Sequence, residues 1–189
     1  HYAEVQGGGE TYLCCPRHAG LRSIGSYRTA AADAVWGSDA AQAIRRGVLD
    51  GTFSHCDKNA CPRILSRSLA RREDMLNHPY FGAVIRTNGA ALAAGPDMVK
   101  LCHDSSCNLS CPSCRTRMIV ADGAAQAELD RVLGGFILPL ASGAKLLILS
   151  GDGDPFASKH YRDILRTTAR THPGLRIALH TNAVLCDGK

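Results

Sequence analysis

Apolar and polar residues alternate in blocks along this chain, and the periods of the blocks predict its elements. Leu146-Leu147-Ile148-Leu149 is an uninterrupted apolar run, the pattern of a strand buried on both faces. Met98 to Cys102 and Leu175 to Leu179 read as strands on either side of it. Between them the period lengthens to that of helices. Leu129, Val132, Leu133 and Phe136 give one apolar face from about Ala124 to Leu138, and Tyr161, Ile164 and Leu165 give another. Nearer the start, Tyr12-Leu13-Cys14-Cys15 followed by a turn-rich segment through Pro16 and Gly20 to Gly25 predicts a short hairpin. Ser38 is a good N-cap for a helix whose apolar face is Ala40, Ala43, Ile44 and Val48, and Gly51 stands where a left-handed residue would end it. From Leu65 to Asp97 the pattern suggests another helical stretch, a strand or turn around Gly82 to Gly89, and a stop at Gly95-Pro96.

The sequence thus predicts an α/β protein in three parts: a small cysteine-rich α+β domain over 1–64, a connector over 65–97, and three βα units over 98–189. Strands alternating with helices imply right-handed parallel crossovers, and chemistry in such folds collects at the carboxyl ends of the strands. Three strands are too few to close a barrel and the chain does not start with methionine, so we expect these units to belong to a longer barrel.

Composition narrows the function classes. No apolar run approaches the roughly 18 residues of a membrane helix, and His1-Tyr2-Ala3-Glu4 has neither the basic nor the apolar region of a signal peptide, so a cytoplasmic chain with no membrane partner is expected. The net charge of +5 is modest and aromatic residues are only 5%, too few for a base-stacking platform, so no nucleic-acid partner is expected. Arg63, Arg67 and Arg71 recur every fourth residue and would share one solvated helix face. The nine cysteines change the picture more. They are clustered, one pair is vicinal and the count is odd, which suits metal better than disulfides.

Cys107-Asn108-Leu109-Ser110-Cys111-Pro112-Ser113-Cys114 has the spacing C-x3-C-x2-C, directly after the strand at Met98. Three thiolates in one loop suit three corners of an iron–sulfur cube, whose fourth iron stays open to an external ligand. Zinc is the alternative, with Cys102 or His103 as a fourth ligand. The motif resembles the signature of the radical S-adenosylmethionine (SAM) superfamily, with Ser113 where an aromatic residue is usual. Gly151-Asp152-Gly153-Asp154-Pro155, after the second strand, resembles that family's Gly-Gly-Glu-Pro segment, and Thr181-Asn182, after the third, resembles the start of its Thr-Asn-Gly. The resemblance implies a partial radical SAM barrel. Cys107, Cys111 and Cys114 would hold a [4Fe–4S] cluster that binds SAM, and Gly151, Asp152, Gly153, Asp154, Thr181 and Asn182 would contact the cofactor, with a carboxylate toward its amino group.

The remaining paired cysteines, Cys14, Cys15, Cys56 and Cys61, supply up to four more thiolates. With the Ile24-Gly25 turn, a helix around Trp36 to Leu49 and the C-x4-C-P of Cys56 to Pro62, this block resembles a SPASM or twitch-type auxiliary-cluster domain, placed before the barrel instead of after it. A zinc knuckle drawing on His18 or His55, or unliganded thiols, are the alternatives. Trp36 reads as core, and Cys102 and Cys186 read as strand-packing residues. The resemblance implies an external electron donor such as a flavodoxin or ferredoxin, an auxiliary iron–sulfur cluster, and a peptide or protein substrate. A sugar or small-metabolite substrate, or an electron carrier without SAM chemistry, stays open.

Overall fold

The structure, a computed structural model, describes residues 1–16, 22–149 and 152–186. It is an α/β fold built on one open, mixed sheet of six strands in the order β3-β2-β1-β4-β5-β6. The strands are β1 (Tyr2–Gln6), β2 (Glu10–Tyr12), β3 (Gly25–Ser26), β4 (Met98–Cys102), β5 (Leu146–Leu149) and β6 (Arg176–Leu179). β1, β4, β5 and β6 run parallel, while β2 pairs antiparallel with β1 and β3 antiparallel with β2.

The register separates the two faces. Ala3, Val99, Leu147 and Ile177 form one row and Val5, Leu101, Leu149 and Leu179 the next. Ala3, Val5, Val99, Leu101, Leu147 and Leu149 are fully buried against helices. The other face carries Tyr2, Glu4, Gln6, Lys100 and Cys102 in its rows, so it is far more polar. Glu4 is nonetheless buried, with Lys100 Nζ at 3.6 Å and the Tyr2 hydroxyl and Gln6 amide donating to it.

The helices described ahead of β5 are, in chain order, α1 (Ala32–Trp36), α2 (Asp39–Leu49), α3 (Pro62–Leu65), α4 (Arg72–Met75), α5 (Phe81–Thr87), α6 (Gly123–Val132) and, after a π-helical turn over Leu133–Ile137, α7 (Leu138–Ala141). Pro139 has no N–H to give the preceding turn, which accounts for the widened turn ahead of α7. After β5, α8 (Lys159–Thr171) starts at Ser158, whose hydroxyl accepts from the Tyr161 N–H. Val132, Phe136, Ile137 and Leu140 from α6 to α7 and Tyr161 and Ile164 from α8 cover the apolar face of the sheet.

Several expectations change. β1 is a strand beyond those expected, although Ala3 and Val5 alternate with the polar Glu4 and Gln6 as strand residues do. It pairs with β4 from Tyr2 opposite Met98 to Gln6 opposite Cys102, so one sheet and one core run across the boundaries expected near residues 64 and 97. The cysteine-rich block is an excursion between two adjacent parallel strands. The strand or turn expected at Gly82 to Gly89 is helix α5 instead. Arg63, Arg67 and Arg71 do not share a helix, since α3 ends at Leu65 and Arg67 turns to φ 51°. In α2, Ser38 does cap the first turn, but the buried stripe is Ala41, Ile44 and Gly47, so Ala40 and Val48 lie outside it. Trp36 is core, its indole N–H donating to the Ala94 carbonyl at 2.8 Å. Cys102 packs in its strand as expected, whereas Cys186 is exposed beyond β6.

Candidate functional site

Loops leaving the carboxyl ends of β4, β5 and β6 meet over the end of the parallel sheet. They line an open cavity of about 240 Å³. That is several times the roughly 30 Å³ of a liquid water molecule, so it has room for a polynuclear group and not merely a single ion. Cys107, Cys111 and Cys114 line it together with Gly153, Asp154, Thr181 and Asn182, so residues from all three motifs read in the sequence share one wall-to-wall space. Asp152 lies on the same β5 loop, and Gly151 falls outside the described residues.

The first loop is folded by its own backbone and by its neighbours. The Cys107 N–H donates to the Ile119 carbonyl at 2.7 Å, which pins the loop's two arms together and buries Cys107. Cys111 and Cys114 are joined by a turn in which the Cys114 and Arg115 N–H groups both donate to the Cys111 carbonyl, at 2.9 and 3.0 Å. Both side chains remain exposed toward solvent. Asn182 reaches across from the third loop, donating to Asn108 Oδ1 at 2.9 Å and to Cys107 Sγ at 3.8 Å.

The second loop lies directly on the first. A Cβ on Gly153 would stand 2.5 Å from the Asp104 carbonyl oxygen and 2.6 Å from that of Ser106, so no side chain fits there. Asp154 is 2% exposed, and its carboxylate is fully engaged. One oxygen accepts from the Phe156 and Ala157 N–H groups at 2.9 and 3.3 Å, the other from the Thr181 hydroxyl at 2.7 Å and the Asn182 N–H at 2.8 Å. Two oxygens with four lone-pair sites thus receive four donors. Burial alone would raise its pKa, but these hydrogen bonds outweigh burial and hold it below the usual carboxylate value. An ammonium group could reach Asp154 only by displacing one of the four. Its first task is to tie the β5 loop to the β6 loop.

Beneath the cavity is a buried polar layer that the sequence reading missed. Asp104 accepts from the Ser106 N–H at 2.9 Å, the Ser106 hydroxyl at 2.8 Å and the Ser158 hydroxyl. His103 and His160 face each other through their Nε2 atoms at 2.7 Å, and Tyr161 donates to the Leu101 carbonyl. Burial, with the second imidazole adding to it, holds His103 well below its ordinary pKa, and burial lowers that of His160 too. Asp104-Ser105-Ser106 right after a strand is the local signal of such a turn. Its partners on α8 are more than fifty residues away, and no local pattern names them.

A second cavity, about 370 Å³, lies in the amino-terminal block. Cys14, Cys56 and Cys61 line it beside Leu13, Ile44 and Phe81, so the excursion does bring these three thiols to one space. Cys15 is not part of that lining, although it follows Cys14 directly in the chain. Asp57 shapes the C-x4-C turn, its carboxylate accepting from the Asn59 and Ala60 N–H groups at 2.9 and 3.1 Å, and Cys61 precedes Pro62 at the start of α3. Burial raises the Cys56 thiol pKa, and neighbouring Cys61 adds to it. His18 lies outside the described residues.

Among the described residues no three His, Cys, Asp or Glu side chains already stand around a single metal-ion position. Among the described residues, too, no helix is long and apolar enough to cross a membrane. No family model, curated protein or solved structure matches the chain.

Proposed function

We propose that this chain is part of a radical SAM enzyme whose [4Fe–4S] cluster is held by Cys107, Cys111 and Cys114. One observation carries the reading: three thiols spaced C-x3-C-x2-C share a cavity with the segments following the next two parallel strands. The donor set fits the group, since three cysteines leave a fourth iron for the amino and carboxylate groups of SAM. Held there, such a group would supply one-electron chemistry for reductive cleavage of SAM.

The chain's own residues do the positioning. Cys107 is fixed by its bridge to Ile119, Gly153 keeps the second loop close to the first, and Asp154 holds Thr181 and Asn182 at the cavity wall. Asp152, Gly153, Asp154, Thr181 and Asn182 would form the cofactor side of the cavity, with Gly151 preceding them. Cys14, Cys56 and Cys61, with Cys15 beside them, would hold the auxiliary iron–sulfur cluster. That second centre favours a peptide or protein substrate and an external donor such as a flavodoxin or ferredoxin. The test is anaerobic reconstitution of the full-length protein that contains this chain, followed by incubation with dithionite and SAM. Formation of 5′-deoxyadenosine supports the reading. Iron and sulfide without that product would leave an electron carrier, and stoichiometric zinc without sulfide would discard both.

A further inference from the structure

Arg115 follows the third cysteine of the motif, and nothing in the motif assigns it a task. In the fold it has three partners on two loops. Its guanidinium donates to the Ser105 carbonyl at 2.6 Å and to the Asp152 carbonyl, which clamps the β5 loop onto the β4 loop. It also donates to Cys114 Sγ at 3.5 Å. The side chain lines the same cavity as the three thiols. Two of those thiols therefore receive a donor from the protein: Cys107 from the neutral Asn182 amide, Cys114 from a permanent cation.

We infer that Arg115 is a positioning residue for the cluster, fixing the exposed Cys114 and setting the cluster's reduction potential; this rests on the function proposed above. Reduction adds one negative charge to the cluster. A cation hydrogen-bonded to a ligating sulfur stabilises the reduced form more than the oxidised one, so it raises the potential. The backbone contacts to Ser105 and Asp152 hold the guanidinium at that sulfur instead of letting it turn to solvent. The same side chain thus couples the loop closure around the cavity to the ease of reducing what the cavity holds.

The experiment is a redox titration of the reconstituted cluster, followed by electron paramagnetic resonance without SAM, in the wild-type chain, Arg115→Gln and Arg115→Lys. At fixed ambient potential the Gln variant should show about tenfold less reduced cluster, which for a one-electron couple is about 59 mV. The Lys variant keeps the charge but not the fork that reaches both carbonyls, and should fall between. Equal reduced fractions in all three overturn the inference while leaving the proposed function standing. If Arg115→Gln takes up no cluster, the Lys variant decides, and a wild-type value there overturns the inference. A wild-type chain that takes up no iron and sulfide overturns the proposed function, and this inference with it.

Discussion

The two cysteine-lined cavities are built in opposite ways. At the end of the parallel strands the walls are loops cross-tied by buried polar groups: Asp154 between the second and third, Arg115 between the first and second, Asp104 down to α8. In the amino-terminal block the walls are mostly apolar side chains such as Leu13, Ile44 and Phe81, with the thiols among them. Directional hydrogen bonds fix positions even without a ligand, whereas apolar contacts are roughly proportional to area and tolerate sliding. The first cavity is therefore preorganised by the fold. The second has no comparable set of ties and would depend far more on any group its thiols took up.

The largest effect that tests this contrast is on metal content. Replacing Cys107, Cys111 and Cys114 together with serine should remove one cluster's worth of iron and sulfide while the amino-terminal centre keeps its own. Loss of all iron from that variant would break the comparison, leaving one centre and not two. Next is Gly153→Ala, whose methyl would press on two backbone carbonyls that cannot turn aside. It should cost about 3 kcal/mol of stability, read from urea unfolding, although one methyl is all that changes. The corresponding methyl on Gly51, which has nothing within 4 Å, meets no neighbour, though its φ of 75° still disfavours a side chain.

Asp154→Asn comes third. It keeps the shape but turns one acceptor into a donor facing other donors, so about 2 kcal/mol should be lost and the β6 loop should exchange its amide hydrogens faster. In the wild-type chain the same tie is sensitive to acid. A depressed folded-state pKa means the contribution is complete above the unfolded aspartate value, about 3.9, and fades as pH falls through the lower folded value. The buried His103 and His160 act earlier, because unfolded histidines take up protons below about 6.5 while the native pair resists them. Stability measured against pH should decline in those two stages. The smallest effect is on thiol chemistry in the metal-free chain. Exposed Cys111 and Cys114 should react with iodoacetamide within the time that leaves Cys102 untouched, since burial, reinforced by Glu4, pushes that thiol up to about 12.

The parts of this molecule that were legible in its sequence are those fixed by neighbours along the chain. β5 is an apolar run, Ser38 caps its own helix, and C-x3-C-x2-C needs only one loop to bring its thiols to one cavity. What the sequence hid is held by distant partners. Glu4 is buried on the polar face of its strand with Lys100 beside it, and Lys100 lies on a strand more than ninety residues away, so no local pattern shows that partner. The regular spacing of Arg63, Arg67 and Arg71 failed for a different reason: the backbone turns left-handed at Arg67, which side-chain periodicity does not report. Asp154 stands out by its loop, but its four donors come partly from a strand end more than twenty residues on, so its function as a tie is not readable in the sequence.

The pairing of β1 with β4 also sets the order in which the molecule can assemble. Residues 7–97 lie between the two strands, and bringing the ends of so long a segment together costs about 4 kcal/mol of chain entropy before any contact repays it. The strand made first during synthesis must wait for one made nearly a hundred residues later, and a fold with that much non-local pairing acquires its native state slowly. Cross-linking Cys14 to Cys56 and Cys61 through a bound metal centre would shorten the open segment. Any group taken up by the amino-terminal thiols would then accelerate folding of the whole sheet, acting as a folding clamp at a distance from the cavity over the parallel strands.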